Sequence, residues 1–226
     1  MLNPGTQSER EVGEGAELVI FDCDGVLVDS DRISLRIQAE WITDLGLPTS
    51  YEDCVRDFLG LGMPATLRVL TERLGRPLPA GWREGLDAAV RAAFERELRP
   101  IPGVVDALGR IDLPTCVASS GSQEKMRLTL GLTGLWDRFA GRIHSADEVS
   151  RGKPAPDLFL RAASSTSTPP GRCVVVEDSP FGVIAARAAG MAVLGYAPDG
   201  SGERLQAEGA QTFTSMVELP TLLASS

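Results

Sequence analysis

The chain has 226 residues, 43% of them hydrophobic, and a net charge of -9, which suits one large domain or a core with one inserted subdomain. No run approaches about 18 uninterrupted apolar residues, which argues against a membrane helix, and the acidic balance argues against nucleic acid as a partner. Four dispersed cysteines without CxxC spacing, and an opening stretch without an apolar signal core, give the expectation of reduced thiols in a cytoplasm.

Residues 1–16 read as a flexible polar lead-in. The run LVIFD (18–22) then has the look of a strand buried on both faces, because its apolar residues do not alternate with polar ones. It ends on Asp22, and Asp24 follows two residues later beside Gly25. Two carboxylates this close repel unless a cation or a proton lies between them. Hard oxygen ligands favour magnesium, with ordinary turn chemistry as the alternative.

From about 32 to 98 no strand is evident. Ile33, Ile37, Trp41 and Leu45 recur at helical spacing, and further helices are expected at 52–59, 64–74 and 82–98. This is a helical insertion after the first strand, with RPIPGV (99–104) as the return linker. An insertion at that point lies over the edge where α/β sheets bind ligands, so a cap is expected. Its loop FLGLGMPATL (58–67) carries glycines that permit close backbone approach to a ligand, or that simply form a turn. Arg68, Arg83 and Arg91 are candidates for a second anionic group or for plain surface residues.

Strands are expected at 114–119, 141–145, 173–177, 191–196 and 211–214, and helices at 103–110, 122–133, 156–164 and 180–190. Strand–helix alternation implies a doubly wound parallel α/β sheet. The second strand ends in CVASSGS, where the Ser119 hydroxyl and the backbone N–H groups of Ser120 and Gly121 could cradle a phosphate. The fourth ends on Glu177 and Asp178, a second acid pair at the same sheet edge. Ser179 and Pro180 then supply an N-cap and a first helical residue, and Gly190 a stop. His144 is expected to be structural. Arginine occurs twenty times but lysine only twice, at Lys125 and Lys153. A lysine kept against that bias can be needed as a compact point charge. Lys153 stands in a proline-stiffened loop able to aim it at the acids, with a solvated loop lysine as the alternative.

Taken in order, FDCDGVLVDS, VASSGS, RGKPAPDLFL and VVVEDSPFGVIAARAAGM resemble the four motifs of the haloacid dehalogenase superfamily, and in particular its β-phosphoglucomutase-like phosphatase branch. The resemblance implies a Rossmann-like core (17–31 and 99–226) with an inserted α-helical cap (32–98). It implies Asp22 as nucleophile and Asp24 as general acid and base. Ser119 and Lys153 would hold the phosphoryl oxygens, with Ser120 and Gly121 beside them. Mg2+ would bind Asp22, the Asp24 carbonyl and Asp178, with Glu177 in support. The implied activity is hydrolysis of a small phosphate ester, a sugar phosphate above all, by a monomer or weak homodimer.

Asp24 favours phosphate esters, because dehalogenating and phosphonate-cleaving members lack it. A phosphomutase is the alternative. Mutases of the branch carry a cap histidine where this chain has Ser34 and a cap arginine near Met63. A silent phosphometabolite-binding regulator is a further alternative, and the intact motif set argues against it.

Overall fold

The computed structural model describes residues 15–198, 200 and 202–224. Most of the lead-in lies outside them. Six strands form one parallel sheet: β1 (Leu18–Phe21), β2 (Thr115–Ser119), β3 (Ile143–Ser145), β4 (Cys173–Glu177), β5 (Ala192–Tyr196) and β6 (Gln211–Phe213). Their order is β3-β2-β1-β4-β5-β6. The order reverses on either side of β1, so the topological switch lies at its C-terminal end.

The expected absence of alternation has a direct cause. Successive side chains point to opposite faces of a strand, and here both faces are dry. Val19, Phe21, Val117, Val174 and Val176 join one apolar cluster. Leu18, Ile20, Cys116, Cys173 and Val175 join another. The first is covered by α5 (Val104–Arg110), α6 (Gln123–Leu132) and the short α7 (Trp136–Phe139) and α11 (Leu219–Ala224). The second is covered by α8 (Asp157–Ser165), α9 (Pro180–Ala188) and α10 (Gly202–Ala207).

Between β1 and α5 come four helices: α1 (Ser30–Asp44), α2 (Tyr51–Phe58), α3 (Met63–Leu74) and α4 (Trp82–Glu97). α1 opens at Ser30, two residues earlier than the helical insertion is expected to begin. Trp41 packs edge-on against Trp82, and a Cβ on Gly85 would lie 2.5 Å from the Trp41 ring. Gly85 therefore lets α1 and α4 approach closely. The outgoing and returning connections are tied together: Asp29 N–H donates to Arg99 O (3.0 Å) and Ile101 N–H to Leu27 O (3.0 Å). No helix among the described residues is long and apolar enough to cross a membrane.

The expected strand ends hold to within two residues. The caps of α9 are as expected: the Ser179 hydroxyl accepts the Gly182 N–H at 3.1 Å, and Gly190 has φ +76°. Three short helices, α7, α10 and α11, were not expected; each is too brief to carry a helical period.

Candidate active site

Asp22 follows the last residue of β1, and its N–H still donates to Val176 O on β4 (2.9 Å). The strand pairing thus fixes its backbone at the sheet edge. Its side chain is 9% exposed. Lys153 Nζ lies 2.5 Å from Asp22 Oδ1 and 2.6 Å from Glu177 Oε1, and 4.9 Å from the centroid of the buried Phe159 ring. Burial pushes the Asp22 carboxyl up to about 8, against the pull of the Lys153 ammonium. Burial also works against the Lys153 charge, but Asp22 and Glu177 outweigh it and raise its pKa.

Glu177 is held by protein groups on both of its oxygens. Its Oε1 is on Lys153. Its Oε2 accepts the N–H groups of Asp178 and Ser179 (both 2.9 Å) and the Ser179 hydroxyl (3.0 Å). A Cβ on Gly182 would lie 1.7 Å from Oε1, so the first turn of α9 is wrapped around this carboxylate. It anchors both the lysine and the helix start.

Asp24 is held by both oxygens. Ser30 Oγ, the first residue of α1, donates to Oδ1. Lys125 Nζ, in the first turn of α6, is 2.9 Å from Oδ2, and Ser119 Oγ approaches the same oxygen at 3.5 Å. Burial would raise the Asp24 pKa, but Lys125 and Ser30 outweigh it and hold the group below its usual value. Ser119 ends β2, is 1% exposed, and accepts the Gly121 N–H at 3.1 Å. A Cβ on Gly121 would stand 3.4 Å from Asp24 Oδ2, Lys125 Cδ and Ser119 Oγ, so its backbone lies against all three. Ser120, beside it, is exposed.

Asp178 is partly buried and meets the first loop directly. Gly25 has φ +77°, and a Cβ there would lie 1.9 Å from Asp178 Oδ2. Burial, then the charges of Asp31, Glu177 and Asp22, push the Asp178 carboxyl well up. Asp31 is itself pushed up to about 7 by burial and by Asp24. So five carboxyl groups, those of Asp22, Asp24, Asp31, Glu177 and Asp178, gather around two ammonium groups.

The structure therefore brings Asp22, Asp24, Ser119, Gly121, Lys153, Glu177 and Asp178 to one edge of the sheet. It adds Lys125 and Asp31, which the motifs did not supply, and Ser30, the last residue of FDCDGVLVDS, to which the sequence reading gave no role. For Lys125 a signal existed, since it is one of only two lysines. Asp31 carried none, and the first motif included Ser30 without showing its contact, because both placements depend on where α1 starts. Elsewhere, His144 bonds Ser165 Oγ through Nε2 (3.0 Å), and burial lowers its pKa, in keeping with a structural role. Arg83 pairs with Asp87, and Arg91 with Glu95 and Glu124. The hollow of about 480 Å³ lined by His144, Glu148 and Arg161 contains none of the clustered acids or lysines.

Residues 19–196 match the model of the haloacid dehalogenase-like hydrolase family. The chain belongs to this family. It is 30% identical over 207 residues to 6-phosphogluconate phosphatase of Escherichia coli K12, covering 91% of this chain and 94% of that protein. It is 32% identical over 182 residues to fructose-1-phosphate phosphatase YqaB of the same organism, covering 76% and 92%. Among solved structures, a conserved haloacid dehalogenase-like protein of unknown function from Agrobacterium tumefaciens superposes with a TM-score of 0.82 at 36% identity, covering 93% and 98%. Phosphatases of the family generally use Mg2+. No group of three His, Cys, Asp or Glu side chains among the described residues is already arranged around a metal position. The donor chemistry nevertheless fits one: the surplus of buried carboxyl groups over ammonium groups is what a hard divalent cation would offset.

Proposed function

We propose that the protein is a Mg2+-dependent phosphatase that hydrolyses small phosphorylated metabolites, sugar phosphates above all, through a phosphorylated Asp22. The observation that carries this is the pairing of Asp22 with Lys153 and of Asp24 with Lys125 at one sheet edge. One carboxylate can attack while the other moves a proton. The named substrates of the Escherichia coli relatives, 6-phosphogluconate and fructose 1-phosphate, support the substrate class.

Asp22 attacks phosphorus as the carboxylate, and the bond to the ester oxygen breaks as Asp24, which must take up a proton against the pull of Lys125 when the anionic substrate binds, gives that oxygen a proton. Asp24 then takes a proton from water as the water oxygen attacks phosphorus, and the bond to Asp22 breaks. Ser119 and the N–H groups of Ser120 and Gly121 hold phosphoryl oxygens from one side, and the Lys153 ammonium from the other. Asp22, the Asp24 carbonyl and Asp178 would hold the magnesium ion. When bound, the ion offsets the charge of an anionic nucleophile meeting an anionic substrate. Glu177 serves Lys153 rather than the ion.

Residues 32–98 form the cap in this account, over a core of 17–31 and 99–226. A Cβ on Gly60, in the loop between α2 and α3, would lie 2.9 Å from Ser179 Cβ, so that loop already touches the start of α9. Such contact suits a lid that excludes water during transfer. Ser34 in place of a cap histidine favours release of phosphate over its return to the sugar.

Phosphate release should be measured over a panel of hexose, hexitol and sugar-acid phosphates and an aryl phosphate, with Mg2+ and with chelator. Release that needs the metal is expected. No release from any ester would overturn the proposal, and isomerisation of a hexose 1-phosphate without release would make the protein a mutase.

Lys125→Met should separate the role of Asp24 from that of the nucleophile. Without the Lys125 contact, Asp24 keeps only Ser30 and the long Ser119 contact. Proton donation matters for an alkoxide leaving group and hardly for a nitrophenolate. General acid catalysis contributes about 10²–10⁴ in rate, so kcat/KM should fall at least tenfold on a sugar phosphate and about twofold on 4-nitrophenyl phosphate. Equal losses on both would make Lys125 a phosphate ligand instead.

A further inference from the structure

Two buried polar atoms on α1 have no protein partner. Gln38 Nε2 and Ser34 Oγ are both buried, and no hydrogen-bond partner reaches either among the described residues. Gln38 as a whole is 7% exposed. A buried donor left unpaired is destabilising, and an apolar side chain would pack there beside Ile37 and Ile42 without that cost. The third such atom among the described residues, Arg138 Nε, belongs to α7 on the core.

Their placement relates them to the chemistry. Ser30, Ser34 and Gln38 recur every four residues. On an α-helix each such step advances about 6 Å and turns only about 40° round the axis, so the three form one row. Ser30 begins the row with its hydroxyl on Asp24 Oδ1, the oxygen of the proposed proton donor. Helical side chains lean toward the N-terminus of their helix. For α1 that end is at Asp24, so Ser34 and Gln38 both lean back toward the carboxylate cluster.

We infer that Ser34 and Gln38 form a subsite for the hydroxyl groups of the leaving group, selecting a phosphorylated polyhydroxy chain over a plain alkyl or aryl ester. Granted the phosphatase reading on which it rests, the alcohol departs beside Asp24 and therefore at the foot of this row. A six-carbon chain spans roughly 6–7 Å by ordinary covalent dimensions. That matches the distance from Ser30 to Ser34 and brings its far end within reach of the long Gln38 side chain. The Gln38 amide and the Ser34 hydroxyl each offer a donor that a sugar hydroxyl accepts.

The test compares Gln38→Leu and Ser34→Ala with the wild type in two measurements. One is kcat/KM on the best hexose, hexitol or sugar-acid phosphate and on ethyl phosphate, which has no hydroxyl beyond the ester. The other is the thermal midpoint. Each variant is expected to lose about tenfold or more on the sugar phosphate and no more than about twofold on ethyl phosphate, while melting no lower than the wild type. That combination follows because removing an unpaired buried donor relieves the fold and deprives only the substrate. Equal loss on both esters, or no loss with a lower midpoint, would overturn the assignment and make the pair structural groups satisfied by ordered water. A wild type that releases phosphate from neither ester would overturn the phosphatase reading itself, and the subsite with it.

Discussion

Asp22→Asn is expected to abolish phosphate release, by at least about 10⁴-fold, while the fold survives. Asparagine has nearly the same shape, so the β1 ladder and the packing of Phe21 and Cys23 need not move. Its amide oxygen is a poor nucleophile, and an amide cannot carry the phosphoryl group as an acyl phosphate does. The electrostatics favour survival of the fold. Asp22 is a desolvated carboxyl whose pKa burial pushes up to about 8. An acid raised in the folded state adds stability at low pH that is lost as pH rises from its unfolded value near 4 through about 8. The neutral asparagine has no such loss. Without added metal, the variant should therefore gain on the wild type in thermal midpoint as pH rises from 5 to 8. A variant that retains a tenth of the activity would rule out Asp22 as the nucleophile.

Lys153→Met is expected to be the most damaging single change to both stability and rate. The Nζ atom bridges Asp22 and Glu177 with the side chain only 3% exposed. Removing one partner from a buried ionic group leaves the others uncompensated, at about 3–5 kcal/mol. Here Asp22 and Glu177 would both lose their ammonium partner, and Glu177 also anchors the first turn of α9 through Ser179. The midpoint should drop by several degrees or more, and kcat should fall about 10³-fold, because an anionic nucleophile must then meet an anionic phosphoryl group without the ammonium. Lys153→Arg should restore little of either. A planar guanidinium does not fit a point between two carboxylates beside the Phe159 ring. Full activity in Lys153→Arg would show that only the charge matters.

Much of this was legible in the sequence, for physical reasons. The strands announce themselves because a parallel sheet is dry on both faces, as in LVIF and CVVV. The acids announce themselves because each ends such a run, where burial begins to cost a carboxylate most. Ser179 and Pro180 mark the start of α9 by local hydrogen bonding alone. The contacts that depend on distant segments were not legible. Lys125 meets Asp24 across 101 positions of chain, through the docking of α6 on the sheet, and the lysine bias could raise it without placing it. The family resemblance gave Glu177 a supporting role at the metal and did not show its protein partners. Those partners are set by the turn into α9, which wraps two N–H groups round one of its oxygens. The start of α1 at Ser30 put Ser30 and Asp31 into the cluster, and a hydrophobic period beginning at Ile33 could not show that.

The central claim is that the phosphoryl group passes through Asp22, and rapid acid quench with peptide mapping tests it most directly. Protein should be mixed with a turned-over sugar phosphate and Mg2+, quenched within a single turnover, and digested. The expected result is one phosphoryl adduct, on the peptide that carries Asp22, absent from Asp22→Asn and, with 4-nitrophenyl phosphate as the donor, longer-lived in Asp24→Asn, where water has no base. Phosphate release at full rate with no adduct on that peptide, or an adduct on another residue, would contradict the account.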